Sequence, residues 1–232
     1  MNAKQVLELV KSNKNKRGIA NWDKLKRTGG LKSFGIGLTQ LRKLAKQIGR
    51  DHELALELWK SQYYDIKVLA LLIDEPKKIT REQAESQVEQ LNAGMLEHVF
   101  SSCDATLPKT GFALELCLDW LESNDPTRRS CGYGLLYELS KNKRNKALTD
   151  EIFLAAIKRI DETIDTEKNS VRLSMGGALI GVGKRNKVLN TAAIKVVKRT
   201  GKIDYSNSDN SCEPLDIMKH LTSDYLKQKF AR

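Results

Sequence analysis

Amphipathic helical periodicity runs through almost the whole chain, and it excludes most folds built on a β-sheet. The segment LTQLRKLAKQI at residues 38–48 places Leu38, Leu41 and Leu44 on one helical stripe and directs its basic residues elsewhere. Comparable patterns follow between short polar, glycine or proline breaks, and strand-like alternation is nearly missing. The sequence therefore predicts an all-α protein.

The predicted helices are short, and pairs of them recur roughly every 35 to 45 residues, which is typical of helical-repeat proteins. We therefore predict a HEAT-like helical-repeat solenoid with a concave basic groove, although the periodicity alone also fits an irregular helical bundle. The start of one helix is marked by a predicted capping box, in which Thr80 is the N-cap residue and the Gln83 side chain reaches back to the backbone of Thr80. Further helices are predicted at His52–Lys60, Tyr63–Ile73, Thr80–Leu91, Gly94–Cys103, Gly111–Glu122, Asp125–Ser140, Thr149–Ile160, Ser170–Val182, Lys187–Arg199 and Glu213–Phe230.

The domain prediction is a basic N-terminal helix and arm at residues 1–32, followed by the solenoid at 33–232, in a single domain overall. Ser12–Lys32 and Gly201–Ser211 are predicted to be irregular, because both are polar and lack periodicity. Seven basic residues surround Trp22 in the first of these segments. This arrangement suits phosphate contact with a stacking aromatic, and it equally suits a solvated arm that Trp22 anchors to the body.

The charge points to a polyanionic partner, because 40 Lys and Arg residues against 29 Asp and Glu give a net charge of +11. Duplex DNA is the expected partner, bound by a monomer.

No apolar stretch approaches the roughly 20 residues of a membrane span, and the N-terminal sequence lacks the pattern of a signal peptide. We therefore expect an intracellular protein that is cytoplasmic, or nucleoid-associated if bacterial, without membrane contact.

The cysteines and histidines predict neither a metal site nor a cofactor, because no CxxC pair and no ligand spacing is present. Cys103, Cys117 and Cys131 are evenly spaced and are expected at equivalent buried positions. Trp59 and Trp120 lie on apolar helical stripes and are expected in the core.

Several segments together resemble one protein family, and the match extends from about Ser33 to Phe230. It is carried by FGIGLTQLRKLAKQIG at 34–49, HELALELWKSQYYDIKVLALLIDEPKKIT at 52–80, RRSCGYGLLYEL at 128–139, SMGGALIGVGKRNKVLN at 174–190 and GKIDYSNSDNSCEPLD at 201–216. These segments resemble the DNA alkylation repair family, HEAT-repeat proteins that include 3-methyladenine and 7-methylguanine DNA glycosylases. The resemblance implies hydrolysis of the N-glycosidic bond of alkylated purines in duplex DNA.

The resemblance also implies site residues. Active members place an aspartate beside the sugar in a Trp-x-x-x-Asp pattern, where a carboxylate stabilises oxocarbenium character. Asp104 matches this aspartate, with Phe100 in place of the tryptophan, whereas an alignment without a gap moves the acid near Glu97 or His98. The family's arginine maps to Arg129, and its second tryptophan falls at Gly177 and is absent.

Arg128 competes with Arg129 for the arginine role, and one of the two is expected to reach DNA. The alternative for these arginines is ion pairing with Asp125 or Glu122.

The candidate phosphate-binding residues of the C-terminal half form a basic run, and the alternative for this run is a merely solvated face. Its members are Lys184, Arg185, Lys187, Lys195, Lys198 and Arg199, continued by Lys202.

A cluster of four glycines, at 176, 177, 181 and 183, stands inside a helical pattern where glycine is unfavourable. It indicates close approach of a neighbouring helix or of DNA.

The leading functional prediction is a DNA glycosylase with Asp104 and Arg129 as catalytic residues and Phe100 among the DNA contacts. The alternatives are a non-catalytic DNA-binding member of the family and a helical-repeat scaffold that binds an acidic protein segment.

Overall fold

The computed structural model describes residues 1–203 and 213–231, and it confirms an all-α fold. Within these residues the only β-type pairings are isolated bridges, at Lys32–Tyr63 and Ile203–Leu215. Most of the predicted loop at Gly201–Ser211, together with Cys212, lies outside the described residues. No described helix is long and apolar enough to cross a membrane.

The contacts within the chain form two compact units, which we call unit 1 (Met1–Ala113) and unit 2 (Leu114–Arg232). The helices of unit 1 are α1 (Ala3–Ser12), α2 (Lys16–Trp22), α3 (Leu38–Ile48), α4 (His52–Trp59), α5 (Tyr64–Ile73), α6 (Arg81–Val88) and α7 (Leu96–Ser101), followed by a 3-10 turn at Leu107–Lys109. Helix α8 (Ala113–Leu121) begins at the boundary, and unit 2 continues with α9 (Pro126–Lys141), α10 (Asp150–Thr163), α11 (Asn169–Gly183), α12 (Lys187–Thr200), α13 (Ile217–Leu221) and α14 (Asp224–Ala231).

The N-terminal segment is an integral part of unit 1. Val6, Val10 and Trp22 are all buried, so this segment contributes to the core of unit 1. The prediction of an irregular Ser12–Lys32 segment is wrong at α2, whose first turn is capped by the Asn15 side chain accepting from the Gly18 amide at 2.9 Å. Helix α2 lies so close to residue 35 that a Cβ on Gly18 would come within 2.0 Å of the Gly35 carbonyl oxygen.

Trp22 anchors this segment to the body, as the second of the two interpretations predicted. Its indole Nε1 donates to the Leu31 carbonyl at 3.0 Å, and its ring centroid lies 4.6 Å from that of Tyr64. Because only 7% of the side chain is exposed, Trp22 offers no face on which a nucleic-acid base could stack.

A buried carboxylate organises the centre of unit 1. Asp65, in the first turn of α5, has no exposed surface. It accepts hydrogen bonds from the Ser33 hydroxyl at 2.8 Å and from the amides of Phe34 at 2.7 Å and Ile36 at 2.9 Å. A buried charge is tolerated only when its hydrogen bonds are satisfied, so these three donors fix the loop that leads into α3.

The predicted capping box at α6 is half correct. Thr80 caps the helix by accepting from the Gln83 amide at 3.1 Å. The Gln83 side chain does not reach back to the cap, however, because it donates to Asp74 at 2.7 Å. Asp74 is buried and also lies 2.7 Å from His52 Nδ1, so a second buried carboxylate joins α4 to the end of α5 and to α6.

Unit 2 is built on α9 and α11, which pack against each other along their length. Gly181 of α11 allows this closeness, because a Cβ there would lie 2.6 Å from the Tyr137 ring of α9. Gly183 makes room for α13, because a Cβ there would lie 2.6 Å from Leu221. A Cβ at Gly176 would meet Ile203 at 2.7 Å, whereas one at Gly177 would meet nothing within 4 Å. Close packing within unit 2 therefore explains three of the four glycines.

The expected core residues are mostly confirmed. Trp59 and Trp120 are 7% and 2% exposed, and Cys117 and Cys131 are fully buried. Cys103 is an exception, because it is partly exposed and lies in a turn with a positive φ of 57°. The predicted equivalence of the three cysteines is therefore wrong.

The C-terminal segment differs from its prediction, because the single helix expected at Glu213–Phe230 is two short helices. The Asp216 side chain caps α13 by accepting from the Lys219 amide at 2.9 Å. The chain then breaks at Thr222 and Ser223 before α14 begins at Asp224. The antiparallel bridge between Ile203 and Leu215, with bonds of 3.2 and 2.8 Å, fixes where this segment rejoins the unit.

Candidate nucleic-acid interface

Asp104, the predicted catalytic acid, stands in a tight turn between α7 and the 3-10 turn. The Ala105 amide donates to the Ser102 carbonyl at 3.1 Å, and the two central residues, Cys103 and Asp104, have φ values of 57° and 71°. These are the φ signs of a type I′ turn, which Asp tolerates and Cys seldom adopts. The turn holds Asp104 outward, with 73% of its side chain exposed.

The turn is fastened to the end of α5. The Thr106 amide and hydroxyl both donate to the Leu71 carbonyl, at 3.3 and 3.2 Å, and the Ser102 hydroxyl donates to the His98 carbonyl at 2.7 Å. Because both sides of the turn are tied down, the strained conformation at its centre is imposed by its surroundings.

Asp104 faces a basic cleft of about 460 Å³, which we call the Asp104 cleft. Positions Arg42, Ala45, Lys46 and Gly49 of α3 and its C-cap follow helical spacing and line one wall. The remaining lining residues are Arg50, Leu72, Asp104 and Lys109. Four cationic side chains and one carboxylate thus meet in a single depression of unit 1.

Contacts within the cleft set the position of its charges. The Asp104 carboxylate lies 3.0 Å from Arg42 Nε. Arg50 Nη1 donates to the carbonyl oxygens of Leu72 and Asp74, both at 2.9 Å, and the Lys109 ammonium donates to the Asp104 carbonyl at 3.4 Å. Arginine at the carbonyl end of a helix is favoured by the helix dipole, so Arg50 is held beside the cleft.

Sequence reasoning missed the cations of this cleft. Arg42 and Lys46 stand four residues apart in the predicted helix, which was a readable signal for one shared helix face, and Arg50 follows just beyond the helix. Nothing in the sequence brings that face to Asp104, because the contact depends on how the turn docks on α5.

The aromatic partner predicted for Asp104 is absent from the cleft. Phe100, predicted to contact DNA, is only 1% exposed and belongs to the core of unit 1, so a contact with DNA would require the core to open. Glu97, the acid in the alternative alignment, is also buried and accepts from Arg27 at 3.0 Å. His98 Nε2 lies 2.9 Å from Cys103 Sγ. Among the described residues that line the cleft, none is aromatic.

Arg129, the predicted catalytic arginine, is held by a structural ion pair in unit 2. Its Nε and Nη2 donate to the two carboxylate oxygens of Glu167 at 2.6 and 2.8 Å, and its Nη1 donates to the Ser123 carbonyl at 2.8 Å. The hydrogen bonds to Glu167 raise the pKa of the Arg129 guanidinium. Both side chains are mostly buried, at 17% and 10% exposure.

Both arginines thus form ion pairs, although with a different partner for Arg129, and their predicted contact with DNA stays a prediction. The expected acids were Asp125 and Glu122. Arg128 does pair with Asp125, at 3.1 Å, whereas Glu122 pairs with Arg159 at 2.6 Å.

Two more arginines of the predicted phosphate-binding run have structural partners. Arg185 donates to the carbonyl oxygens of Ser140, Asn142 and Leu148 at 2.9 to 3.0 Å, which closes the end of α9. Arg199 bridges Asp161 and Asp165 at 2.7 and 2.5 Å. A role in phosphate binding for either residue would require these contacts to break.

The lysines of α12 are arranged differently. Lys187, Lys195 and Lys198 are exposed on one side of the helix together with Thr191, and we call these three residues the lysine face. In the part of the chain that the structure describes, no carboxylate forms an ion pair with them. Lys184 is also exposed just before the helix, whereas Lys202 beyond it pairs with Asp216 at 3.1 Å.

No group of three or more potential metal-binding side chains occurs among the described residues. The interface candidates are two basic surfaces, the Asp104 cleft in unit 1 and the lysine face in unit 2.

Comparison with known proteins places the chain in a family. Uncharacterized proteins of Listeria innocua serovar 6a and Listeria monocytogenes serovar 1/2a are 29% and 28% identical over 193 residues, which is 81% of this chain and of each relative. A solved structure of similar fold matches 99% of this chain and 96% of its own, with a TM-score of 0.84 and 19% identity. It is described as a new family of proteins related to the HEAT-like repeat DNA glycosylases with affinity for branched DNA structures. The HEAT-like fold is thereby confirmed. The sequence profile of the DNA alkylation repair enzyme family matches residues 3–207, and the chain belongs to that family.

Proposed function

We propose that this protein is a DNA-binding member of the DNA alkylation repair family that holds DNA by its phosphates. The lysine face carries the proposal, because Lys187, Lys195 and Lys198 are exposed on one helix side without carboxylate partners among the described residues. Ammonium groups so arranged neutralise backbone phosphates and release counterions. The affinity of the structural relative for branched DNA agrees with this function.

The test is the salt dependence of DNA binding by a triple variant, Lys187→Gln, Lys195→Gln and Lys198→Gln. We expect binding to weaken about tenfold near physiological salt, and the slope of log affinity against log salt to fall by about 2.7, because each lost phosphate contact removes about 0.9. Fluorescence anisotropy with a labelled duplex measures both quantities.

The matched control is Lys4→Gln, Lys60→Gln and Lys77→Gln, which removes the same charge from exposed lysines elsewhere. An equal loss in both variants would show that net charge, not the lysine face, drives binding. Repeating the titration with a four-way junction of the same sequence content separates duplex binding from a preference for branched DNA.

Excision of alkylated purines is the second candidate function, and the exposed Asp104 carboxylate among four cations favours it. A carboxylate near the sugar stabilises the positive charge that develops as a cationic base departs. Because Arg129 is fully engaged with Glu167 and Ser123, this activity rests on Asp104.

The measurement is release of base from duplex DNA that contains 7-methylguanine or 3-methyladenine. Under this hypothesis Asp104→Asn abolishes release and Glu57→Gln, which neutralises another exposed carboxylate of unit 1, preserves it. Wild-type protein that binds DNA but releases no base would leave DNA binding as the function.

A further inference from the structure

We propose that the Asp104 cleft is a binding site for a phosphate group and that Asp104 is its built-in counter-ion, which an arriving phosphate displaces from Arg42. This inference rests on the proposed DNA binding and deepens it, because it names a second contact region and a competition inside it.

The charge of the cleft fits a phosphate. Arg42, Lys46, Arg50 and Lys109 line one depression with Asp104 as the single carboxylate, so the cleft keeps an excess of positive charge when Asp104 is in place. Guanidinium and ammonium groups together recognise phosphate oxygens by charge-assisted hydrogen bonds. A volume of about 460 Å³ is ample for a phosphate group and its flanking atoms.

Asp104 lies close to Arg42 but does not satisfy the hydrogen-bonding capacity of its Nε nitrogen. Only 3.0 Å separates the carboxylate oxygen from Arg42 Nε, yet this buried nitrogen makes no hydrogen bond. An anion with more oxygens and a different angle of approach can supply the missing acceptor. Arg42 therefore retains hydrogen-bonding capacity that a phosphate can use and Asp104 does not.

The carboxylate can also leave without disturbing the fold. Its side chain is 73% exposed, and an exposed ion pair contributes little to stability. The backbone of the turn is held independently, by Thr106 on Leu71 and by Ser102 on His98. Phosphate binding would thus release a carboxylate from a fixed position next to bound DNA.

The first test is DNA affinity, measured by anisotropy at low salt. Asp104→Asn should bind about fivefold more tightly, because a competing exposed charge is removed, and Asn accepts the positive φ of this position. Lys46→Gln should bind several-fold more weakly. The controls are Glu57→Gln and Lys43→Gln, which change an equal charge outside the cleft and should match wild type.

The second test uses inorganic phosphate alone and separates a free phosphate from DNA. In amide NMR titrations, phosphate should shift the signals of Gly49 and its neighbours in wild type, more strongly in Asp104→Asn and less in Lys46→Gln. Far-UV circular dichroism establishes that each variant is folded.

The outcomes distinguish this inference from the proposed function. If wild type binds DNA but Asp104→Asn and Lys46→Gln both bind like their controls, the cleft is not a phosphate site, and DNA binding by the lysine face stands. If DNA is not bound but phosphate shifts Gly49 in the expected order, the cleft takes a free phosphate and the proposed function fails. Weaker DNA binding by Asp104→Asn would overturn the role of Asp104 as counter-ion.

Discussion

The two units use side chains of opposite charge for the polar contacts that organise them. In unit 1 the buried charged groups that organise the fold are mainly carboxylates, with Asp65 and Asp74 as acceptors of several hydrogen bonds. In unit 2 this role falls to arginines, with Arg129 and Arg185 as donors to a carboxylate and to carbonyl oxygens. The cations at the two candidate interfaces also differ: arginines and lysines line the Asp104 cleft, whereas lysines alone form the lysine face.

The difference shows why net charge is a poor guide to an interface. Arginine offers five donors in a rigid fork and suits structural contacts with several acceptors, whereas lysine is a flexible point charge. A basic residue that already has structural partners contributes to binding only if the ligand competes with those partners.

The largest expected effect is at the carboxylate that organises unit 1. Asp65→Asn leaves three donors facing an amide that cannot accept from all of them, and we expect a loss of about 3 kcal/mol in the free energy of unfolding. Urea denaturation measures it, with Glu57→Gln as the control for a lost exposed charge. A loss close to that of the control would remove the contrast between buried carboxylates and buried arginines.

The corresponding test in unit 2 is Arg129→Ala. Removal of a mostly buried partner leaves Glu167 without its donors, so unfolding should become easier by about 2 kcal/mol. Arg199→Ala breaks an exposed pair with Asp161 and Asp165 and should cost far less. If Arg129→Ala is as stable as wild type but no longer binds DNA, Arg129 is a functional residue and the comparison fails.

The adjacent residues Lys184 and Arg185 test the same division between structural arginines and exposed lysines. Arg185→Gln loses donors to three carbonyl oxygens and should reduce stability by about 1.5 kcal/mol, whereas Lys184→Gln changes an exposed side chain and should leave stability unchanged. DNA affinity should show the reverse order if exposed lysines carry the binding. Equal effects of the two substitutions on both measurements would contradict the division of roles.

The smallest expected effect is a dependence of stability on alkaline pH. Burial raises the pKa of the Cys117 thiol to about 12, so the folded state keeps a proton that the unfolded state releases above about pH 8.5. The stabilising contribution is complete below that value and is lost as pH rises, by about 1 kcal/mol between pH 8 and about pH 9.3. Urea midpoints of wild type and Cys117→Ser measure it, and the variant should lose less. Burial of Tyr64 and Tyr133 acts in the same direction at higher pH.

The sequence predicted elements well where apolar spacing was regular. The predictions for Leu38–Ile48 and Lys187–Arg199 agree with α3 and α12 to within one residue. Helix α2 was missed, because its stability depends on the Asn15 cap and on packing against Gly35, not on a long apolar stripe. The break between α13 and α14 was missed because their combined pattern reads as one helix.

The candidate site was predictable only in part. The resemblance located Asp104, but three of the four cations around it come from α3 and the residues just after it, more than fifty residues earlier in the sequence. The ion pair of Arg129 likewise depends on Glu167, which lies 38 residues away along the chain. Such pairings are set by tertiary packing, which local pattern does not encode.

The turn at Cys103 and Asp104 has a consequence for how the cleft can evolve. A positive φ restricts position 104 to a few residues, chiefly Gly, Asn and Asp. In the genetic code, Asp is one base substitution from both Asn and Gly, and each of these would keep the backbone while removing the negative charge. The charge of the cleft is thus genetically adjustable in a single step without a change of fold, so related proteins could diverge in affinity for an anionic ligand while sharing the same scaffold.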